Sequence, residues 1–448
     1  MERTKMLIID DEENLRKILS RLLELEGFQV LQAQTSAKGM ELFRSNPDIL
    51  VVVTDVRLPD DSGIQVLKKV KSLQPEVEVV VITAFGKIQD GVECMKNGAF
   101  DYLTKDDQND QMVVTIQRAA EKAAMVNRIN ELESRLTVKY RFENISGTSC
   151  KIKDALEMAK KVAQTDTSVL LEGETGTGKE LFAQAIHYGG ARRKKSFVAV
   201  NCSAMPRDLL ESELFGYSKG AFTGALGDKT GLFEASHGGT LFLDEIGEMD
   251  MLLQAKLLRA IETQTFLRIG DTRETQVNVR IIAATNKNLR TEVEEGNFRE
   301  DLFHRLSVFT IRIPPLRDRQ EDIEILAQEF LKMFATNFGK SIRSISPEVL
   351  ATLREYPWKG NIRELRNTIE RAVILANDNL ITVDLLPMEI RFNEQEAFSH
   401  SLAEQERLHI LKILHLTNNN KPEAAKMLGI GLATLYRKLE EYHTHDAS

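Results

Sequence analysis

From Lys5 to about residue 120, short apolar runs alternate with longer amphipathic stretches. Lys5–Ile9, Phe28–Ala33, Ile49–Thr54, Val77–Ile82 and Ala99–Leu103 read as strands separated by helix-length polar segments. That rhythm predicts a parallel sheet covered on both faces by helices. A helical stretch follows to about Leu136, in which Met125, Ile129, Leu132 and Leu136 are spaced 4, 3 and 4 residues apart. Such an a/d seam suits either a linker helix packing on its own domain or a dimerising coiled coil. Residues 144–388 carry a second strand set at Ser168–Leu171, Ser196–Asn201, Thr240–Leu243 and Val279–Ala284, then turn helical after Pro314-Pro315. A polar stretch, Arg391–Ser401, leads to a final helical piece.

Composition narrows the class. The chain has 448 residues, 42% hydrophobic and 28% charged, the balance of a soluble globular protein with about three domains. No apolar run approaches the ~18 residues of a membrane span, and MERTKMLIIDDEEN meets acidic residues too early for a signal peptide. No membrane partner is expected. Cys94, Cys150 and Cys202 lie far apart without metal-ligand spacing, which argues for a reducing cytoplasm. A net charge of −8 excludes a wholly basic surface but not one small nucleic-acid-binding module.

The first candidate chemistry is acidic. Strand one ends in Asp10-Asp11 and strand three in Thr54-Asp55, and neighbouring carboxyl ends of a parallel sheet share one crevice. Three carboxylates there call for a hard cation, and Mg²⁺ suits an oxygen-ligand site. Thr83 and Lys105 add a hydroxyl and a cation at the same rim, equipment for accepting a phosphoryl group. With DVRLPDDSG around Asp55, Thr83-Ala84, Tyr102 and Lys105, the segment resembles a response-regulator receiver domain. The resemblance implies that Asp55 is the phosphoacceptor, that Asp10, Asp11 and Asp55 hold Mg²⁺, and that Thr83 and Tyr102 with Lys105 form the switch. Asp106 stands where that family usually has proline after the lysine.

The second is a phosphate cradle. Strand Val169–Glu172 runs into Gly173, Glu174, Thr175, Gly176, Thr177, Gly178, Lys179 and Glu180, then an amphipathic helix, the spacing of a P-loop. Lys179 is placed for the β/γ-phosphates, while Glu180 replaces the usual Ser/Thr. Strand Thr240–Leu243 delivers Asp244-Glu245, Asp244 suited to Mg²⁺ and Glu245 to polarising the attacking water. Asn286 is followed by Lys287 and Asn288-Leu289, not by a guanine-specifying aspartate, which favours ATP. Asn286 could orient water or γ-phosphate. Arg299 and Arg305 in FREDLFHRL are candidates for transition-state charge, and Arg363 in GNIREL for a further phosphate contact.

Between the two acidic and phosphate motifs lies Gly220, Ala221, Phe222, Thr223, Gly224 and Ala225, small residues around one aromatic and one hydroxyl, which reads as a contact tip. With ELFGYSKGAFTGA, the chain resembles the bacterial enhancer-binding AAA+ activators of the nitrogen-regulator type, over essentially its whole length. That resemblance implies that the hexapeptide contacts sigma-54, that Asn201 couples γ-phosphate to Glu245, and that Asn286 is sensor I. It implies that Arg299 and Arg305 reach a neighbouring subunit in a hexameric or similar ring, and that Arg363 is sensor II. Lys359 stands where the family often has proline.

At the C-terminus an amphipathic helix, Glu404–Leu416, precedes NNNKPEAAKMLGIGLATLYRKLEEY, read as helix, Gly429 turn, helix. It is similar to the factor-for-inversion-stimulation (Fis) type of DNA-binding module. Thr434, Arg437 and Lys438 are base-contact candidates, and Lys421 is placed for phosphate.

The expected fold is multidomain α/β. A flavodoxin-like (CheY-like) receiver spans 1–120, a linker helix 121–143, an AAA+ P-loop α/β domain 144–388 with a helical lid from about 315, and an all-α helix-turn-helix 402–448. The expected function is a cytoplasmic two-component transcription activator, phosphorylated by a sensor histidine kinase, binding enhancer DNA and using ATP hydrolysis to remodel sigma-54 RNA polymerase. A dimer would convert to the ring. A regulator using ATP only for assembly, without acting on sigma-54, stands as the alternative, and the same motifs serve a receiver that represses the ring or one that activates it.

Overall fold

The computed structural model describes residues 4–84, 88–105, 109–391, 406–407, 409–410, 413–414, 417 and 420–445. The side chains of residues 88, 109, 110, 132, 134 and 440–445 lie outside that description, as do Asp106 and most of Arg391–Ser401 and Glu404–Leu416. The chain divides into two compact units, Met1–Val138 and Lys139–Ser448. Among the described residues, no helix is long and apolar enough to cross a membrane.

The first unit holds β1 (Lys5–Ile9), β2 (Gln29–Ala33), β3 (Ile49–Asp55), β4 (Glu78–Thr83) and β5 (Asp101–Thr104) in the order β2-β1-β3-β4-β5, all parallel. Successive side chains of a strand point to opposite faces, and here both faces are apolar. Leu7, Ile9, Val52, Val79 and Val81 pack with Met40, Phe43, Val66 and Leu67 on one side. Met6, Ile8, Val51, Val53, Val80 and Ile82 pack with Leu19, Leu23, Met112 and Ile116 on the other. The fifth strand begins at Asp101 rather than Ala99, because Gly98 at φ 86° turns the chain and the Ala99 amide still closes the preceding helix on the Cys94 carbonyl.

Helix Asn109–Lys139 runs 31 residues without interruption across the expected boundary at residue 120. Met112, Ile116, Ala119 and Ala123 are buried, whereas Met125, Ile129 and Leu136 are 67%, 54% and 38% exposed. Those three members of the seam do not pack on their own unit; the side chain of Leu132 lies outside the described residues.

The second unit is built on β6 (Val169–Glu172), β7 (Phe197–Asn201), β8 (Thr240–Asp244), β9 (Arg280–Thr285) and β10 (Phe309–Arg312), ordered β10-β6-β9-β8-β7 and parallel throughout. Sequence reading missed β10, a four-residue edge strand just before the two prolines. It also missed two small hairpins, Gly216–Tyr217 with Lys229–Thr230, and Thr265–Leu267 with Glu274–Gln276. All are too short for a periodic signal.

After Pro315 the chain turns helical as expected, with helices Glu321–Asn337, Pro347–Glu355 and Asn361–Leu375 packed around Trp358, Leu326, Phe334, Leu365 and Ile369. Trp358 is fully buried and its indole Nε1 donates to the Leu353 carbonyl at 2.7 Å, the partner a buried indole requires. The buried Asp322 carboxylate accepts from the Thr148 and Ser149 amides at 2.6 and 3.0 Å, tying this lid to the start of helix Cys150–Ala163. A negative charge at a helix N-terminus is favourable there. At the chain's end, helices Lys421–Leu428 and Leu432–His445 flank Gly429 at φ 67°, with Ala424, Ala425 and Leu435 buried between them.

Candidate functional site

In the first unit, β1, β3 and β5 bring the predicted residues together at their carboxyl ends. Asp10 and Asp55 are buried, Asp11 is exposed, and one carboxylate oxygen from each lies within 4.8 Å of the others. Lys105 Nζ stands 2.5 Å from Asp55 Oδ2 and 3.0 Å from Asp10 Oδ2. Burial opposes the Lys105 charge, but its bonds to the two aspartates prevail and hold the ammonium above the usual lysine value. Burial pushes the Asp10 carboxyl up, Lys105 notwithstanding, and the Asp55 charge adds to the rise. One ammonium among three carboxylates leaves negative charge in excess, so the donor set fits a hard divalent cation. The Arg57 amide donates to Asp55 Oδ1 at 3.1 Å. Gly63, which opens helix Gly63–Leu73, sits so close that a Cβ there would lie 2.0 Å from the Asp55 carbonyl oxygen. Thr83 is buried at the end of β4, and Tyr102 on β5 is half-buried.

In the second unit, the P-loop leaves β6 with Gly176 and Gly178 at φ 82° and 102°, conformations that turn backbone amides toward the start of helix Lys179–Tyr188. Lys179 is buried, its Nζ donating to the Gly173 carbonyl at 2.9 Å and standing 3.6 Å from Glu245 Oε1. The other Glu245 oxygen accepts from the Asn286 amide at 3.3 Å, and Asn286 Nδ2 donates to Thr175 Oγ1 at 3.2 Å. Glu245 itself holds a left-handed backbone, φ 52°. Burial raises the Asp244 carboxyl, with Lys179 and more weakly Arg363 pulling it back. That is a carboxylate suited to a metal-bound triphosphate.

Asn201 pairs in register with Asp244 across β7 and β8, but its Oδ1 accepts from the Ser203 amide and hydroxyl. Among the described residues, no hydrogen bond joins Asn201 to Glu245. Arg299 forks onto Asp301 at 3.0 and 2.7 Å, which holds its guanidinium above the usual arginine value. Arg305 is exposed and lines a 220 Å³ cavity with Asp166, Ser168 and Val308. Neither arginine bonds residues 173–180 of its own chain, among the described residues. Arg363, in the first turn of Asn361–Leu375, faces the P-loop: its Cβ is 3.2 Å from the position a Cβ on Gly176 would take.

Sequence reasoning missed what joins lid to P-loop. Arg317 forks onto Glu174 at 2.8 and 2.6 Å and holds that carboxyl below its usual value. Asn361 is fully buried between them. Polar burial of this kind leaves no periodic trace in a sequence.

The GAFTGA segment rises from the hairpin Gly216–Tyr217/Lys229–Thr230. Gly220 and Gly224 lie at φ 84° and 110°, and Gly220 and Ala225 close the loop by a 3.0 Å amide–carbonyl bond. Phe222 is 48% exposed, edge-on to Tyr217 at 4.9 Å, and Thr223 is exposed. The second hairpin's loop supports this one: the Ser218 amide donates to the Ile269 carbonyl at 3.0 Å. Among the DNA candidates, Arg437 is exposed and Thr434 half-buried. Lys421 Nζ lies 4.8 Å over the Tyr436 ring, and Lys438 Nζ is paired with Glu406 at 2.5 Å.

Comparison with known proteins covers nearly the whole chain. Residues 6–117 match the response regulator receiver domain, 145–312 the sigma-54 interaction domain, 317–403 the AAA+ ATPase lid domain, and 401–442 the Fis family of bacterial regulatory proteins. The chain is 42% identical to the regulatory protein AtoC of Escherichia coli K12, over 98% of its own length and 97% of that protein's. It belongs to the sigma-54-dependent response regulators. Within that family it is also 37% identical to the DNA-binding transcriptional regulator NtrC of E. coli K12, over 98% of this chain and 99% of NtrC. Crystal structures of Brucella abortus NtrX in complex with ADP and with ATP each align at a TM-score of 0.65 and 32% identity, over 98% of this chain and 99% of NtrX. The AAA+ domain makes the sigma-54 regulator an ATP-binding protein with the equipment of an ATPase.

Proposed function

We propose that this regulator is a phosphorylation-controlled ATPase motor that opens promoters held by sigma-54 RNA polymerase. A sensor histidine kinase supplies the phosphoryl group. An Asp55 carboxylate oxygen forms the new O–P bond as the donor's P–N bond breaks, and the leaving imidazole is protonated. The Lys105 ammonium, now paired with Asp55 and Asp10, re-pairs with the incoming phosphoryl oxygens. Asp10, Asp11 and Asp55 would hold Mg²⁺, which would supply neutralising charge there. Thr83 and Tyr102 then reset the receiver, and chains pass from dimer to ring.

At the nucleotide site, residues 173–180 and Lys179 bind the ATP phosphates, Asp244 serves its Mg²⁺, and Glu245 orients and deprotonates water against the γ-phosphate. Asn201 and Asn286 report the γ-phosphate to Glu245, and Arg363 meets it from the lid. Arg299 and Arg305 act on the neighbouring subunit's ATP. Hydrolysis moves Gly220–Ala225, with Phe222 and Thr223 on sigma-54, while Lys421, Thr434, Arg437 and Lys438 hold enhancer DNA in the cytoplasm. Phosphoacceptor, motor and DNA reader occupy residues 1–120, 144–388 and 402–448.

The observation that carries the reading is the bridge from Lys179 through Glu245 and Asn286 to Thr175, which aims a carboxylate at the P-loop's phosphate space. The test is open-complex formation by sigma-54 holoenzyme with ATP or a non-hydrolysable analogue, with and without acetyl phosphate, for wild type and Asp55→Asn. Opening should need hydrolysable ATP and the donor, and Asp55→Asn should lose the donor's effect. Equal stimulation of both proteins would remove Asp55 as the switch, and opening with the analogue would remove hydrolysis.

A further inference from the structure

The lid's turn Trp358–Asn361 places backbone against backbone over the P-loop. The Ile362 amide donates to the Gly176 carbonyl at 3.0 Å, and a Cβ on Gly176 would lie 2.3 Å from the Gly360 carbonyl oxygen. Inside this contact the Asn361 side chain, fully buried, joins three pieces of chain. Its Oδ1 accepts from the Leu316 amide at 2.8 Å, where the segment after β10 enters the lid. Its Nδ2 donates to the Thr175 carbonyl at 3.1 Å and to Glu174 Oε2 at 3.2 Å. The backbone of Asn361 is left-handed, φ 52°, a region that asparagine tolerates better than other non-glycine residues. Two donors and an acceptor, at the end of a short side chain in that conformation, are what a carboxamide alone supplies.

We infer that Asn361 is a positioning residue for ATP turnover: it fixes the first turn of the lid helix, and Arg363 with it, against P-loop residues Glu174 and Thr175. The inference rests on the assignment of Arg363 to the phosphates. Arg317 belongs to the same clamp, since its fork on Glu174 holds in place the carboxylate that Asn361 binds. A shift of Glu174–Gly176 when phosphates enter is thereby passed to the lid through one side chain, and a shift of the lid is passed back. If Asn361 acts on turnover by setting Arg363 against the loop, its loss should add little once Arg363 is gone.

The test compares full-length wild type, Asn361→Gly, Arg363→Ala and the double variant in steady-state ATP hydrolysis, with binding of a fluorescent ADP analogue read in parallel. Glycine accepts the left-handed backbone without strain, so the substitution removes the side chain and its bonds without forcing the turn to move. Asn361→Asp keeps the size and the acceptor for Leu316 but sets a carboxylate against Glu174, and it carries the test if the glycine variant does not fold. Arg363→Ala should lower kcat/KM, and Asn361→Gly should reproduce about tenfold of that loss, mainly through KM and the ADP-analogue affinity. The double variant should be no worse than Arg363→Ala. If Arg363→Ala is impaired while both Asn361 variants match wild type, or if the two losses multiply, the inference is wrong and the Arg363 assignment stands. If Arg363→Ala matches wild type, that assignment fails first and takes the inference with it.

Discussion

The receiver and the ATPase each place an aspartate at the end of a central parallel strand, Asp55 on β3 and Asp244 on β8, with a lysine nearby. They differ in where the rest of the site comes from. Lys105 follows a strand of the same sheet and contacts Asp55 and Asp10 at 2.5 and 3.0 Å. Lys179 opens the helix that follows the P-loop, rests on carbonyls, and stands 3.6 Å from Glu245. The ATPase further draws Asn361 and Arg363 from the lid, and its Arg299 and Arg305 bond nothing in their own P-loop among the described residues. A site taken from one sheet's strand ends is complete once the sheet folds. A site drawn from sheet and lid is complete only when the two dock, and it can therefore be regulated by docking.

The sharpest test of that contrast is Glu245→Gln, which removes the carboxylate proposed to orient water while the lid and P-loop keep their contacts. ATP binding should persist and turnover fall by at least about a hundredfold, measured by phosphate release and nucleotide titration. Loss of binding instead would make Glu245 part of the cradle. Thr223→Ala should separate the motor from its output: hydrolysis stays within about twofold, because the loop tip lies outside the phosphate cradle, while promoter opening is lost. A variant that still opens promoters would remove the loop tip from the mechanism.

In the one-sheet site the vulnerable point is the backbone. Gly63→Ala forces a methyl onto the Asp55 carbonyl, and it should lower receiver stability by about 2 kcal/mol, read as an earlier first transition in thermal unfolding. An unchanged transition would mean that the helix start can move away. The smallest effect concerns pH. His187, in the P-loop helix, is buried with its ring nitrogens on the Thr240 hydroxyl and the Lys195 carbonyl, and burial pushes the imidazole down to about 4. An unfolded histidine titrates near 6.5. Below that value the unfolded chain takes up a proton that the folded one refuses, so stability complete above pH 6.5 is lost as pH falls toward 4. Between pH 7 and pH 5.5 the loss should be about 1 kcal/mol, and His187→Gln should flatten it in urea titrations. An equal slope in both proteins would assign it to carboxylates.

The same contrast explains what was legible. Asp10, Asp11, Asp55, Thr83 and Lys105 stand at the ends of apolar runs, so a strand pattern locates them and the topology of a parallel sheet gathers them. The P-loop and Asp244-Glu245 are legible for the same reason. Asn361 and Arg317 are not, since their meaning lies in contacts with Glu174 across more than a hundred residues of chain. Strand β10 and the hairpin at Thr265–Gln276 were missed because a few residues hold no period, and their formation is decided by the sheet edge and the loop they pack on. The seam stays open between two readings in the sequence, because spacing alone cannot say that Met125 and Ile129 leave the first unit's core.

That seam sits on one uninterrupted rod of hydrogen-bonded backbone, Asn109–Lys139, about 46 Å long at ~1.5 Å per residue. Its first turns are clamped by Met112, Ile116 and Ala119, and Met125 lies less than two turns past Ala119. A helix is stiff in torsion, and each residue inserted into it advances the downstream face by ~100°. The azimuth of the exposed stripe is therefore dictated by how the clamped end sits in its socket. A rotation of the clamped end at Met112 is carried undiminished to Ile129 and Leu136, and it turns the exposed stripe by the same angle. The rod works as a keyed shaft.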